Sequence, residues 1–528
     1  MSCQPGTSGT GDEPTEGTDD STTQSPVGSS DTAVDTTQGE ASASGDSGAT
    51  SSSGGSSTTA ASGSESSGTA TGCVPGQEEG CACDEGECGV GLACEDEVCV
   101  PSDCGNGMVD AGEECDDMNA VDSDGCDNDC TISAGAAAVV AGDEHVCALL
   151  HTGEIKCWGN HTSGRLGYPG LGEDLGDTEV PADFGVVDVG APVEQMALGG
   201  NFTCMLLAGD GVVCWGDGQH GRLGQGSEDD LGIAEAPSAI PLVSLSGTPI
   251  QIAAGAEHAC AVFASGDLSC WGRNDHGQVG VPGFAAVGDD ELPSDVPNVI
   301  VGPNVLPGAA GPHHTCALLG GGDVRCWGRN DVGQLGDPTS TADIGDNEDP
   351  ATAPLVLLSG EAVLIAARFD HTCVAYATGE IQCWGDGASG KLGYGDTNVV
   401  GDDEDVGTLP AIDLGFDPSH FGMGEDHTCV RLDPALTMRC WGEGDNGRLG
   451  YGNTMDLFAP GMDPVDLSTP AGPASVTAGR EFSCSRTAGS QLKCWGRNNR
   501  GQLGLGAVFM TDLGDDEALS VVGPIQLE

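Results

Sequence analysis

What most constrains this chain is a repeat. All seven tryptophans fall in Cys-Trp-Gly triplets, at Trp158, Trp215, Trp271, Trp327, Trp384, Trp441 and Trp495, spaced by 57, 56, 56, 57, 57 and 54 residues. Each triplet opens the pattern W-G-x-x-x-x-G-[RQK]-[LV]-G, as in WGRNDVGQLG at 327–336 and WGEGDNGRLG at 441–450. Self-similarity at a fixed period marks one supersecondary unit stacked on copies of itself. About 56 residues per copy is enough for the four short strands of a propeller blade.

A second cysteine precedes each triplet. The pairs are Cys147 with Cys157, Cys204 with Cys214, Cys260 with Cys270, Cys316 with Cys326, Cys373 with Cys383, Cys429 with Cys440, and Cys484 with Cys494. The separation is ten residues in six copies and eleven in the sixth. If His151-Thr152-Gly153 form a three-residue hairpin loop, Cys147 faces Cys157 and Leu149 faces Ile155. The sixth copy keeps this opposition with a four-residue loop, Asp433-Pro434-Ala435-Leu436. Directly opposed residues of an antiparallel pair lie within disulfide reach, so the arithmetic predicts seven cross-strand disulfides. Closing an eleven-residue loop is worth about 2.5–3 kcal/mol in the chain-entropy model. It also pins the hairpin against a one-residue slip that would reverse its faces. Such bonds persist in oxidising surroundings, which predicts an extracytoplasmic protein.

The same register sets Trp158 opposite Val146, and the other tryptophans opposite Thr203, Ala259, Thr315, Thr372, Thr428 and Ser483. These mostly small or β-branched residues leave room for an indole on one sheet face. On the cysteine face His145 is opposite Gly159, with His258, His314, His371 and His427 placed likewise. Phe202 and Phe482 stand there in the second and seventh copies. A ring covering a strand glycine is the expected role, and because phenylalanine replaces histidine twice, metal ligation or a Cys–His nucleophile is not expected here.

Through its GxxH, hairpin and WGxNxxGQLG elements, 135–528 resembles the regulator-of-chromosome-condensation repeat. The resemblance implies an all-β fold, a seven-bladed β-propeller, and the paired cysteines make it similar to a secreted bacterial branch. Strands near Val139-Val140 and Ile525-Leu527 are expected side by side where the ring closes.

The rest of the chain is compositionally different. Asp and Glu total 83 against 16 Lys and Arg, a net charge of −67, and the first basic residue is Lys156. Residues 4–72 are almost wholly Ser, Thr, Gly, Asp, Glu, Ala and Pro, with too little apolar surface to offset backbone entropy. Residues 1–72 are therefore read as a disordered tether. Cys3, directly after Met1-Ser2, resembles the end of a bacterial lipobox, which implies lipidation at Cys3 and a translation start upstream of Met1. Residues 73–133 hold ten cysteines and few apolar side chains, so disulfides are expected to hold this module. Their pairing stays open, and zinc is disfavoured because paired CxxC knuckles are lacking. Within it, 104–130 resembles the myxobacterial cysteine-rich repeat. Its Asp116, Asp117, Asn119, Asp122 and Asp124 read most simply as solvated acidic turns. The alternative is a Ca²⁺ site of hard oxygen ligands.

Inside the repeats a second element recurs, as LGDTEVP (175–181), VGDDELP (287–293), IGDNEDP (344–350), VGDDEDV (400–406) and LGDDEAL (513–519). It is weaker as LGIAEAP (231–237) and missing in the sixth copy, which has NTMDLFAP (453–460). Solvated inter-strand loops are the expectation; the alternative is cation binding at Asp289, Asp290, Glu291 and their counterparts.

So acidic a chain would be repelled by nucleic acid and anionic headgroups, and no run of eighteen apolar residues suggests a membrane-spanning helix. There is no GxSxG, HExxH or P-loop. The expected function is a non-enzymatic, envelope-anchored or secreted propeller that binds an extracellular or surface protein through its loops. It would need no cofactor beyond the alternative Ca²⁺ and touch the membrane only through a lipid at Cys3. One alternative is a proteinaceous inhibitor of a secreted hydrolase, since a bacterial β-lactamase inhibitor is similar to this propeller type. Guanine-nucleotide exchange, a role of the eukaryotic namesake, fits less well, because near-uniform repeats leave no inserted wedge and disulfides place the chain in another compartment.

Overall fold

A computed structural model describes residues 92–95, 98–101 and 135–527, apart from 210, 304, 470, 509 and 510. The tether 1–72 with Cys3 lies outside the described residues, as do Asp116, Asp117, Asn119, Asp122 and Asp124. Of the cysteine-rich stretch 73–133, one hairpin is described, Leu92–Glu95 with Val98–Pro101, in which Cys94 and Cys99 are opposed in register.

From residue 135 onward seven antiparallel sheets follow in chain order, each built from consecutive residues. This is the seven-bladed all-β propeller. Blade 1 is Ala136–Ala141, His145–Leu150 and Ile155–Gly159. Its second and third strands pair Cys147 with Cys157, Val146 with Trp158, His145 with Gly159 and Leu149 with Ile155. The four-residue loop preserves the pairing in blade 6, where Cys429 faces Cys440.

All seven expected disulfides form, one in each blade. Cys147 is bonded to Cys157, Cys204 to Cys214, Cys260 to Cys270 and Cys316 to Cys326. Cys373 is bonded to Cys383, Cys429 to Cys440 and Cys484 to Cys494. In every pair the Cα atoms stand 4.0–4.1 Å apart. In three blades the cause of this close approach is visible. The amides of Cys157, Cys383 and Cys440 turn outward to the hydroxyls of Tyr168, Tyr394 and Tyr451 at 3.3, 3.1 and 3.2 Å. The cysteines therefore occupy non-hydrogen-bonded pairs, where strands run nearest.

The expected fourth strand is vestigial. Blade 3 has Ala286–Val287 and blade 5 has Ile412–Asp413. Elsewhere single bridges such as Gly159 to Leu175 and Ile155 to Val187 mark its place. Between those bridges the chain curls into short 3₁₀ turns, several led by a proline such as Pro181 or Pro237, and proline offers no N–H to a ladder.

Consecutive blades are joined by their tryptophans. The indole N–H of Trp215 donates to the Arg165 carbonyl of the preceding blade at 2.9 Å. Trp271, Trp327, Trp384, Trp441 and Trp495 do the same to Arg222, Gln278, Gln334, Lys391 and Arg448. Thus the [RQK] residue of each motif presents its carbonyl to the next blade's Trp.

The histidines also act between blades, which corrects the expectation that each ring covers the opposed glycine. A Cβ on Gly159 would meet backbone, the Glu144 carbonyl oxygen at 2.5 Å and the His145 Cα at 2.8 Å. The His145 ring instead lies over Gly142, whose Cβ would fall 2.2 Å from it. Its Nε2 reaches the Thr203 hydroxyl of blade 2 at 3.0 Å. His258, His314, His371 and His427 likewise reach Thr315, Thr372, Thr428 and Ser483. Because Thr203 donates its own hydrogen to the Arg165 carbonyl, the imidazole donates from Nε2, while Nδ1 has no hydrogen-bond partner among the described residues and burial favours the neutral ring. Where the ring is Phe202 or Phe482, the next blade offers Ala259 or Val146, which have no hydroxyl.

The ring closes without strand exchange. Ala136 N–H donates to the Ser490 carbonyl at 3.0 Å and Ala141 N–H to the Thr477 hydroxyl at 3.1 Å. The C-terminal segment pairs within its own blade, Ile525 N–H to the Leu492 carbonyl at 2.8 Å. The Gln526 carbonyl accepts from Ala182 N–H at 2.9 Å. Val139 pairs with Ala148, so the hydrogen bonds of Ile525 and Gln526 go elsewhere than to Val139-Val140.

Candidate functional site

The short loops joining first to second strands gather at one mouth of the ring. Adjacent loops bond to one another, Gly200 N–H to the Ala256 carbonyl, Glu425 N–H to that of Arg480, and Arg480 N–H to that of Asp143, at 3.0–3.1 Å. Six copies begin this turn with glycine (Gly142, Gly199, Gly255, Gly311, Gly424 and Gly479), whereas blade 5 has Arg368. The guanidinium of Arg368 donates to the Ala141 carbonyl of blade 1 at 2.7 Å and approaches Asp143 at 3.4 Å. Blades 6 and 7 lie between blades 5 and 1 in the ring, so this side chain crosses the mouth. Arg480 meets the other oxygen of Asp143 at 3.4 Å. Both guanidiniums lie over the Phe369 ring, at 5.8 and 5.7 Å from its centroid, within cation–π range.

Around this mouth three of the four motif cations are held by acids at blade boundaries, the exception being Arg165, whose Nη1 is buried without a hydrogen-bond partner among the described residues. Arg222 bridges Asp217 of its own blade and Glu257 of the next at 3.4 and 3.3 Å. Lys391 does so with Asp386 and Asp426 at 2.7 and 2.9 Å, and Arg448 with Glu443 and Glu481 at 2.5 and 3.6 Å. Burial works against the charge on Lys391, but Asp426 and Asp386 overcome it and raise its pKa. Copies with glutamine in place of this cation carry an arginine two residues after Trp instead: Arg273 with Gln278, Arg329 with Gln334, Arg497 with Gln502. The cation is moved rather than lost.

The acidic loops are less solvated than expected, because their glycines seat against the preceding blade. Gly221 has φ +69°, and a Cβ there would lie 2.2 Å from the Asp289 amide nitrogen. Gly277, Gly333, Gly447 and Gly501 meet the loops at Gly345, Gly401, Gly514 and Gly176 in the same way. Carboxylates of Asp289, Asp290 and Glu291 converge within 4.8 Å, as do Asp402, Asp403 and Glu404, and Asp515, Asp516 and Glu517. Burial, then Asp290 and Asp289, pushes Glu291 up to about 7. Among the described residues these triads are marked by mutual crowding of acids and, at Glu404, by one buried oxygen, Oε2, without a hydrogen-bond partner.

The sixth copy retains the place of this element while changing its chemistry. Leu457 makes the bridge to Gly442 that Leu175 makes to Gly159, and Phe458 stands where the other loops have glycine, against Gly390. Met455, Phe458 and Met462 of this loop are 66, 42 and 84 % exposed. Sequence reasoning noted this loop for its missing acids alone and did not single out Arg368. Alignment of the seven copies against each other contains both signals.

The chain matches the family model described as RCC1-like domain over residues 113–430, and the regulator of chromosome condensation (RCC1) repeat over 474–502. It is 31 % identical to the Ultraviolet-B receptor UVR8 of Arabidopsis thaliana over 373 residues, 70 % of this chain and 78 % of the receptor. It is 27 % identical to the E3 ubiquitin-protein ligase HERC2 of Homo sapiens over 372 residues, 69 % of this chain but 7 % of the ligase. Among solved structures, yeast RCC1 (Prp20) bound to Kap60 superposes with a TM-score of 0.54 at 18 % identity, covering 74 % of this chain and 85 % of that one. Human WBSCR16 gives the same TM-score and identity, covering 68 % and 88 %.

Proposed function

This chain belongs to the RCC1-like domain family, and on that premise we propose that it is a non-enzymatic binding propeller acting outside the cytoplasm on a protein partner. The relatives named above are a receptor and a ubiquitin ligase, the latter matched over only 7 % of its length, so no single chemistry travels with the fold. Function must be argued from the site. The observation that carries the reading is the blade-six loop. Met455, Phe458 and Met462 are exposed where five other copies carry a GD-type acidic turn, on a chain of net charge −67. Grouped exposed apolar side chains are a mark of interaction sites. Location outside the cytoplasm is supported by the seven disulfides, with Cys3 as the point of lipid attachment.

The test is capture on living cell surfaces and culture medium with the disulfide-intact protein, beside a triple variant M455S/F458S/M462S of unchanged melting temperature. The wild type should retain a protein that the variant loses. Equal retention by both, or none by the wild type, overturns the loop's role. Assaying a panel of secreted hydrolases with the same preparations separates this reading from the inhibitor alternative, in which one of them would be silenced.

A further inference from the structure

At the boundary between blades 3 and 4 the charge arrangement of the other boundaries is replaced by imidazoles. The residue preceding the ring position is acidic in five copies (Glu144, Glu257, Asp370, Asp426 and Glu481), Asn201 in the second and His313 in the fourth. Facing it, blade 3 has Gln278 where blades 2, 5 and 6 have their bridging cation, and His276 in the motif turn. The His276 and His313 rings lie 5.3 Å apart between centroids, inclined by 60°. Together with Asp275 they bring one ligand atom each to within 4.8 Å of one another.

Three further observations point the cluster at a metal ion. First, His276 Nδ1 is held at 2.8 Å by Asp343, whose other oxygen accepts from the Asn330 amide at 3.1 Å. A fixed carboxylate on one imidazole nitrogen leaves the other to a metal, the arrangement that orients metal-bound histidines. Second, His276 Nε2 is the nitrogen turned to Asp275, 3.9 Å from its Oδ2. Third, His313 Nδ1 is sealed from solvent and has no hydrogen-bond partner among the described residues, as in the buried ring histidines, but here a second imidazole and a carboxylate stand beside the ring.

We propose that Asp275, His276 and His313 form a site for a divalent transition-metal ion, with Zn²⁺ the best fit, joining blade 3 to blade 4. Two imidazoles and a carboxylate suit Zn²⁺, and three protein ligands leave a fourth position to water or to a partner's side chain. Ligands about 2.0–2.2 Å from a tetrahedral ion stand roughly 3.3–3.5 Å apart, so the side chains must draw in by up to about 1.5 Å. Asp275 and His276 are partly exposed, at 39 and 29 %, and have room to do so. Asp275 also takes Arg273 at 2.6 Å; a carboxylate has about four acceptor positions and can keep both. The hard acidic triads, by contrast, carry no nitrogen ligand.

The test is titration of the whole disulfide-intact protein with CoCl₂, read by visible absorption, and with ZnCl₂, read by calorimetry. The expected result is one equivalent bound, with the intense d–d bands of low-coordinate cobalt and no displacement by a hundredfold excess of Ca²⁺. His276→Asn and His313→Gln should each weaken binding at least tenfold and abolish the bands. Asp343→Asn should weaken it about tenfold, and His220→Asn, in the matching turn of blade 2, should leave it unchanged. All four should melt as the metal-free wild type does. No stoichiometric binding, or bands that survive His276→Asn, overturns the site.

Discussion

The indole of Trp158 donates to the Gln502 carbonyl at 3.0 Å, joining residues 344 apart by the contact that the other six tryptophans make between neighbours in sequence. In this contact the seam of the ring repeats its other boundaries. Trp158→Phe should cost about 1–3 kcal/mol by leaving a buried carbonyl unpaired, and Trp327→Phe should cost the same within error in urea denaturation. A much smaller loss for Trp158→Phe would mean that the ring is shut by something else.

The histidine-to-hydroxyl contacts are exchangeable as units. Thr315→Ala strands the Nε2 hydrogen of fully buried His258 and should lose about 1–3 kcal/mol. His258→Phe with Thr315→Ala reproduces the Phe202 and Ala259 combination between blades 2 and 3 and should recover most of that loss. A double-mutant cycle in chemical denaturation reads the coupling.

Five buried imidazoles make the fold acid-sensitive before its carboxylates titrate. Burial, helped by neighbouring positive groups, pushes His258 and His314 down to about 3, and His145, His371 and His427 well below their usual value. The unfolded chain takes up these protons near pH 6.5 and the folded one does not, so the stabilisation is full above that pH. It falls as the pH drops from about 6.5 toward 3, by about 1.4 kcal/mol per unit for each histidine. The His258→Phe/Thr315→Ala variant should show a slope shallower by one histidine. A pH-independent stability between 6.5 and 5 would contradict this.

Each disulfide should be worth about 2–4 kcal/mol. Cys316→Ala with Cys326→Ala should lower stability by that amount while leaving the other six bonds in place. Mass spectrometry of unreduced protein should find no free thiol at the fourteen propeller cysteines.

At the mouth, Asp143→Ala removes the carboxylate shared by Arg368 and Arg480 and should cost about 3 kcal/mol, because it leaves a guanidinium buried without its counter-charge. Arg368→Gly combined with Asp143→Ala should be less damaging than Asp143→Ala alone. The reverse order in thermal melts would show that Arg368 is held by Ala141 and Phe369 rather than by the acid.

Periodicity and cysteine parity made the blade count, the hairpin register and every propeller disulfide readable in the chain, since both depend on local counting. What lay between blades was harder. The ring of His145 could be assigned to the cysteine face but not to Thr203, because strand arithmetic says nothing about the neighbouring sheet. Yet the pairing of His with Thr or Ser, and of Phe with Ala or Val, is written in the seven copies and is visible once each copy is compared with its successor. The same holds for the exchange of Arg273 and Gln278 for Asp217 and Arg222. The fourth strand was overcounted because repeat length alone does not distinguish a ladder from proline-led turns. The His276 and His313 cluster escaped notice because its members lie in different repeats and each looks like an ordinary deviation.

Because every blade is one unbroken stretch of chain and the seam copies the other boundaries, the position of the termini is arbitrary with respect to the architecture. A gene rearranged to begin at blade 4 and end at blade 3 would encode the same circle, its old ends joined by a short peptide. Whole units, rather than fragments of them, are the modules in which such a molecule can be shuffled, duplicated or grown.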